Sequence, residues 1–102
     1  MAKEVIWSRE AVKDIVAIAE FIEKDSEYYA SAFVSEIYSK ASTLNAFSRR
    51  GRIVPEILNE DIREIFIGDY RLIYKIEENL ISIIAVIHGS RDLRKILQKE
   101  KR

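Results

Sequence analysis

The chain has 102 residues, no cysteine, and hydrophobic and charged fractions of 48% and 33%. That limits it to one compact globular domain and removes disulfides, thiolate metal sites and cysteine nucleophiles. Its 17 basic and 17 acidic residues cancel, which argues against a dedicated nucleic-acid binder, because phosphate contacts demand a cationic surplus.

The N-terminal MAKEVIWSRE lacks an apolar run long enough for a secretory signal, and no later segment approaches the roughly 18 apolar residues of a membrane span. A cytoplasmic location without membrane contact is therefore expected. Lys3 to Trp7 is short and rich in β-formers, with Ser8 placed as a helix N-cap. Ala11, Ile15, Ile18 and Ile22 then recur at helical spacing, widened by Val12, Val16 and Ala19, which predicts an amphipathic helix over 9–24. Asp25-Ser26 stops it and caps the next. Ala30, Phe33, Ile37, Ala41 and Leu44 continue the period over 27–47, so two long helices with a tight connection form an antiparallel hairpin.

The stretch SRRGRIVPE at 48–56 breaks this pattern with the single proline and one of the three glycines, and reads as a loop. The basic surplus begins here: residues 1–48 hold 5 basic against 8 acidic residues, and residues 49–102 hold 12 against 9. Three apolar runs of strand length follow at 62–67, 70–76 and 80–88. Gly68-Asp69 suits a two-residue hairpin turn with glycine supplying positive φ, and Glu78-Asn79 forms the second turn. Asp92 caps a short last helix over 93–99, apolar at Leu93, Ile96 and Leu97. The predicted class is α+β: an N-terminal strand, an antiparallel helix hairpin packed on one face of an antiparallel sheet with a three-strand C-terminal meander, and a short C-terminal helix.

The two turns define a register. Ile67 faces Tyr70, Ile65 faces Leu72 and Arg63 faces Tyr74; across the second turn Ile76 faces Ile81, Tyr74 faces Ile83 and Leu72 faces Ala85. One face then collects Ile65, Ile67, Tyr70, Leu72, Tyr74, Ile76, Ile81, Ile83, Ala85 and Ile87, and must lie under the helices. The other collects Ile62, Glu64, Phe66, Arg71, Ile73, Lys75, Ser82, Ile84, Val86 and His88. On it Arg71 lies across from Val86 and diagonal to His88.

An imidazole moves protons near neutral pH and a guanidinium holds two phosphate oxygens. Arg71, His88 and nearby Arg91 are thus candidates for binding or cleaving a phosphodiester. The same residues equally fit a histidine that ends a strand with its ring bonded to backbone, and an arginine paired with Glu64 across the sheet. Arg49, Arg50 and Arg52 suit either a grip on a nucleic-acid backbone or acidic partner, or a solvated loop. Phe66, Ile73, Ile84 and Val86 would expose an apolar patch larger than a monomer tolerates; the C-terminal helix or a partner's helix or strand should cover it. One histidine and no cysteine offer no metal ligand set, and no phosphate loop or dinucleotide fingerprint calls for a cofactor.

In this order, with GRIVPE at 51–56, YRLIY at 70–74 and HGSRDL at 88–93, the chain resembles the RelE/ParE superfamily of toxins from bacterial and archaeal toxin–antitoxin modules, from Val5 to Leu93. The resemblance implies a growth-arresting toxin held in a hetero-oligomer by a cognate antitoxin, whose C-terminal segment would cover the apolar patch. In the branch that cleaves mRNA in the ribosomal A site, Arg71 matches a catalytic arginine and Arg91 lies near a second. The other branch poisons DNA gyrase without a known hydrolytic site. No tyrosine follows Arg91, the loop carries arginines where the RelE-like branch favours lysines, and HGSRDL looks closer to the ParE-like branch. The expectation is a ParE-like toxin that binds an essential target, DNA gyrase. A ribosome-dependent endoribonuclease and a non-toxic remnant that only binds its antitoxin are the alternatives.

Overall fold

The computed structural model describes residues 2–95. In chain order it contains β1 (Glu4–Trp7), α1 (Arg9–Glu23), α2 (Glu27–Ser42), a 3-10 turn (Thr43–Asn45), β2 (Arg52–Ile53), β3 (Ile62–Ile67), β4 (Tyr70–Ile76) and β5 (Leu80–His88). Both helices start where their sequence caps place them. Ser8 Oγ accepts from the Ala11 amide at 3.0 Å and Ser26 Oγ from the Tyr29 amide at 3.1 Å, each satisfying one otherwise unpaired N–H of the first turn.

The second helix ends earlier than its apolar period suggests, at Ser42 rather than residue 47. Ser42 Oγ and Thr43 Oγ1 donate back to the carbonyls of Ser39 and Lys40, both at 2.7 Å. Such back-bonding competes with the helical ladder and favours the tighter turn that follows. Leu44 keeps its place in the core through that turn.

The five strands form one mixed sheet in the order β1-β5-β4-β3-β2. β1 runs parallel to β5, with the helix hairpin packed against the sheet, and the remaining pairs are antiparallel. The loop at 48–56 contributes the edge strand β2, paired with Arg63 and Glu64 of β3, an element too short to leave a period in the sequence. Gly68 has φ of 58° and closes the β3–β4 hairpin in the predicted register, Ile67 facing Tyr70.

The second hairpin departs from expectation halfway along. Ile76 faces Ile81 and Tyr74 faces Ile83 as predicted, but Ile73 then faces Ala85, Leu72 faces Val86, Arg71 faces Ile87 and Tyr70 faces His88. A β-bulge at Ile84 inserts one residue into β5 and turns every later side chain to the other face. Two groups from the start of α1 accommodate it. Ser8 Oγ donates to the Ile84 carbonyl at 3.1 Å, and the Val86 amide donates to Asp14 Oδ2 at 2.9 Å. An acid at position 14, one helical turn after buried Ala11 and beside buried Ile15, faces the sheet for that purpose.

The bulge divides the apolar residues between two cores. Under the helices, Ala11, Ile15, Phe33, Ile37, Ala41 and Leu44 pack on Ile65, Ile67, Leu72, Tyr74, Ile76, Ile81, Ile83 and Val86. On the opposite face Ile73, Ala85 and Ile87 are buried beneath Val54 and Leu93, with Ile57, Ile62 and Ile84 packed around them. The expected patch of Phe66, Ile73, Ile84 and Val86 is therefore not formed. Val86 lies on the helix side, and Ile73 is covered by the 54–57 segment and Leu93. Residues 93–95 begin the predicted last helix; the rest of it, to residue 99, lies outside the described residues. Among the described residues no helix is long and apolar enough to cross a membrane.

Asp14→Ala leaves the Val86 amide without its acceptor and is expected to lower the unfolding free energy by about 1–3 kcal/mol. Asp14→Asn, which keeps an oxygen acceptor, should recover most of that loss in urea denaturation. Equal stability of Asp14→Ala and the parent would show that the bulge does not depend on this contact.

Candidate functional site

Arg71 is 3% exposed and lies at the centre of a closed charge network on the sheet face away from the helices. Its Nη1 donates to Glu64 Oε1 at 2.8 Å and to Glu56 Oε1 at 3.0 Å; its Nη2 donates to Glu56 Oε2 at 2.6 Å and to the Arg91 carbonyl at 2.7 Å. The second oxygen of Glu64 accepts from Arg52 Nε at 2.6 Å. Glu56 also accepts from the Leu93 amide at 3.1 Å. Two carboxylates and two guanidiniums thus join the loop, β2, β3, β4 and the segment after β5 with no net charge.

Each member reaches the network by local means. Glu64 and Arg71 sit on the same side of β3 and β4, whose register places Glu64 opposite Ile73 and Phe66 opposite Arg71. Glu56 is carried over them by a turn anchored on buried Val54, whose carbonyl accepts from the Ile57 and Leu58 amides. The hydrogen bond from Arg71 holds the Glu56 carboxyl down to about 2 against an ordinary 4.5, and the bond to Glu56 in turn raises the Arg71 guanidinium. Chemically this is a brace: both terminal nitrogens of Arg71 are occupied, so its fork is not presented to a phosphate.

His88 ends β5 on the opposite face. Its ring meets Tyr70 edge-on at 5.5 Å, and Tyr70 meets Phe33 at 5.3 Å. Its Nδ1 accepts from the Ser90 amide at 3.2 Å and lies 2.8 Å from Ser90 Oγ. Arg91 is exposed and enters the network only through its backbone carbonyl. The expected shared surface of Arg71 and His88 is not formed, because the bulge at Ile84 rotates His88 to the helix side while leaving Arg71 on the other. The other reading of each residue is the one observed: Arg71 pairs with Glu64, and His88 closes a strand with its ring bonded to backbone.

The GRIVPE loop is organised around a buried tyrosine. Tyr74 Oη donates to the Ser48 carbonyl at 2.8 Å and accepts from the Gly51 amide at 2.9 Å, while Arg63 Nη1 donates to the Gly51 carbonyl at 2.9 Å. A Cβ on Gly51 would fall 2.5 Å from the Glu64 carbonyl and 2.7 Å from Tyr74 Oη, so the crossing requires glycine. Burial pushes the Tyr74 hydroxyl above its usual range. Arg50 Nη1 donates to Thr43 Oγ1 at 2.6 Å, Arg49 lies 3.7 Å from Asp61, and the Arg52 guanidinium stacks on Phe66 at 5.0 Å. Phe66 is 46% exposed.

Glu56, Tyr74 and Asp14 were not singled out from sequence. An acid directly after Val54-Pro55, and one inside the apolar stripe of α1, are the signals that mark two of them. Tyr74, inside an apolar strand, carries no such mark. Among the described residues no three metal-ligating side chains converge.

The site thus sits on a five-stranded mixed sheet with a helix hairpin on one face and an arginine-rich loop braced on the other. A family profile described as "ParE toxin of type II toxin-antitoxin system, parDE" matches residues 5–93, and the chain belongs to that family. It is 25% identical over 88 residues to Toxin RelE2 of Caulobacter vibrioides, spanning 86% of this chain and 97% of that protein. Two solved structures share the fold. The chromosomal ParDE toxin–antitoxin system from P. aeruginosa matches at a TM-score of 0.70 and 17% identity, over 85% of this chain and 96% of that one. The toxin–antitoxin complex RelBE2 from Mycobacterium tuberculosis matches at 0.56 and 21%, over 86% and 99%.

Removing Arg71 leaves buried Glu64 with Arg52 alone and Glu56 with the Leu93 amide alone, so Arg71→Ala is expected to cost about 3–5 kcal/mol of stability. The acid dependence has a definite sign. Glu56 titrates near 2 when folded against 4.5 otherwise, so its stabilisation is complete above about pH 4.5 and is lost as pH falls toward 2. Glu56→Gln should lower the melting temperature at pH 7 and flatten its decline across that acid window. A parent-like profile in the variant would show that the brace contributes nothing.

Proposed function

We propose that this toxin arrests growth by binding DNA gyrase, and that a cognate antitoxin neutralises it in a hetero-oligomer. The observation that carries the binding reading is the state of Arg71. The arginine that matches the RNA-cleaving branch is buried and held by Glu56 and Glu64, with His88 on the far side of the sheet. That arrangement favours a surface that recognises a protein over a site that cleaves a phosphodiester. The ParE family match supports gyrase as the target, and the two fold neighbours, both toxin–antitoxin assemblies, support an antitoxin partner. Phe66 and partly covered Ile84 are the apolar side chains of the expected patch that remain for such a partner; Ile73 and Val86 are filled by the chain itself. Acting on gyrase, the protein works in the cytoplasm.

Induction of the chain without antitoxin is expected to trigger the DNA damage response and filamentation, and the purified protein to inhibit supercoiling by gyrase. His88→Ala should retain full growth arrest. Immediate loss of protein synthesis with cuts in A-site mRNA, abolished by His88→Ala, would replace this reading with the nuclease. Normal growth would indicate a remnant.

A further inference from the structure

Three of the exposed aromatic rings gather at the turn that joins the two helices. Phe21, in the last turn of α1, is 64% exposed, and Tyr28 and Tyr29, in the first turn of α2, are 76% and 65% exposed and meet edge-on at 5.4 Å. The charges around them are one-sided. Glu20, Glu23, Asp25 and Glu27 accompany Lys24 alone, and among the described residues none of them forms an ion pair. The last turn of α1 carries no basic residue, although the helix dipole favours a cation there.

Beside Tyr29 a cavity of about 250 Å³ opens between the helix hairpin and the β3–β4 turn. Ile22, Phe33 and Ile67 give it an apolar lining and Tyr29 and Tyr70 an aromatic one, while its two charged lining residues, Glu36 and Asp69, are both acids. Glu36 already pairs with Lys40 at 3.1 Å. Asp69 has no ion pair among the described residues. The Tyr70 ring is held by edge contacts to Phe33 at 5.3 Å and to His88 at 5.5 Å, so that part of the lining is formed in advance of any ligand.

We propose that this cavity receives an arginine side chain from a basic segment of a partner protein, its methylene stem along the apolar lining and its guanidinium between the tyrosine rings and Asp69. The residues that flank the arginine in that segment then cover Tyr28 and Phe21. Charge complementarity selects the occupant: an acidic segment or a phosphate would be repelled, and a purely aliphatic side chain would desolvate Asp69 without pairing it. A guanidinium stacks on aromatic faces and pairs with a carboxylate at once, and its stem packs on hydrocarbon. Smaller than the roughly 300–1,000 Å³ of a small-molecule site, the cavity suits one long side chain. It lies on the opposite face of the sheet from Arg71 and does not rest on gyrase as the target.

The test follows the backbone amides of the purified full chain by two-dimensional NMR as an end-capped hexapeptide of alternating leucine and arginine is added. Saturable shifts are expected at Ile22, Tyr29, Phe33 and Asp69. The same peptide with citrulline, of equal shape but uncharged, should bind about fivefold or more weakly, and a leucine–glutamate peptide should leave those amides unmoved. Asp69→Asn should weaken binding of the arginine peptide about two- to fivefold, and Tyr29→Ala about threefold. Both side chains are exposed, and Tyr29→Ala keeps the amide that Ser26 caps; circular dichroism checks that the variants are folded. Glu10→Gln, in the first turn of α1, should bind like the parent. Equal binding of the citrulline peptide, parent-like affinity in either cavity variant, or shifts confined to other surfaces would overturn the proposal. So would shifts of the same amides on concentrating the protein alone, which would place a second copy in the cavity.

Discussion

The contact on which most of this structure depends is the double hydrogen bond between Arg71 and Glu56. It ties the segment after Pro55, already anchored by buried Val54, to the centre of the sheet, and the same carboxylate receives the Leu93 amide from the chain after β5. The charges have left water, which is costly, and they are tolerated because each is met by a partner of opposite sign at hydrogen-bond distance. An ion network of this kind contributes position more than raw stability. It fixes where Val54 and Leu93 land, and those two side chains close the second apolar layer over Ile73, Ala85 and Ile87.

A sheet of five strands in a chain this small cannot leave a face bare, and the protein solves the problem asymmetrically. One face receives two helices with a conventional aliphatic interior. The other receives a few apolar residues from a loop and a helix start, with a salt-bridged arginine in place of further hydrocarbon. Gly51 permits the tight crossing above Tyr74 that brings β2 onto the edge. Loop, brace and edge strand therefore form one structural unit, and the exposed arginines are presented from its rim.

That arrangement bears on how the molecule acts. A guanidinium used as a beam is not available as a ligand, and the apolar side chains left exposed include Phe66 under Arg52 and Phe47. In this chain Glu56 and Glu64 hold both terminal nitrogens of Arg71 beneath the loop.

The element order, the α+β class, both helix caps and the Gly68 turn were legible in the 102 residues because each rests on local chemistry: period, capping and positive φ. The pairing of Arg71 with Glu64 was legible as one of two readings. The bulge at Ile84 was not, since alternating apolar residues in β5 satisfy either face and only the distant groups Ser8 and Asp14 select the kinked register. The same bulge decided which side His88 and Val86 take, and the placement of Glu56 decided that Arg71 is a brace. Sequence determines what a neighbouring residue can enforce; contacts formed across 72 positions, as between Asp14 and Val86, exist only once the helix has docked on the sheet.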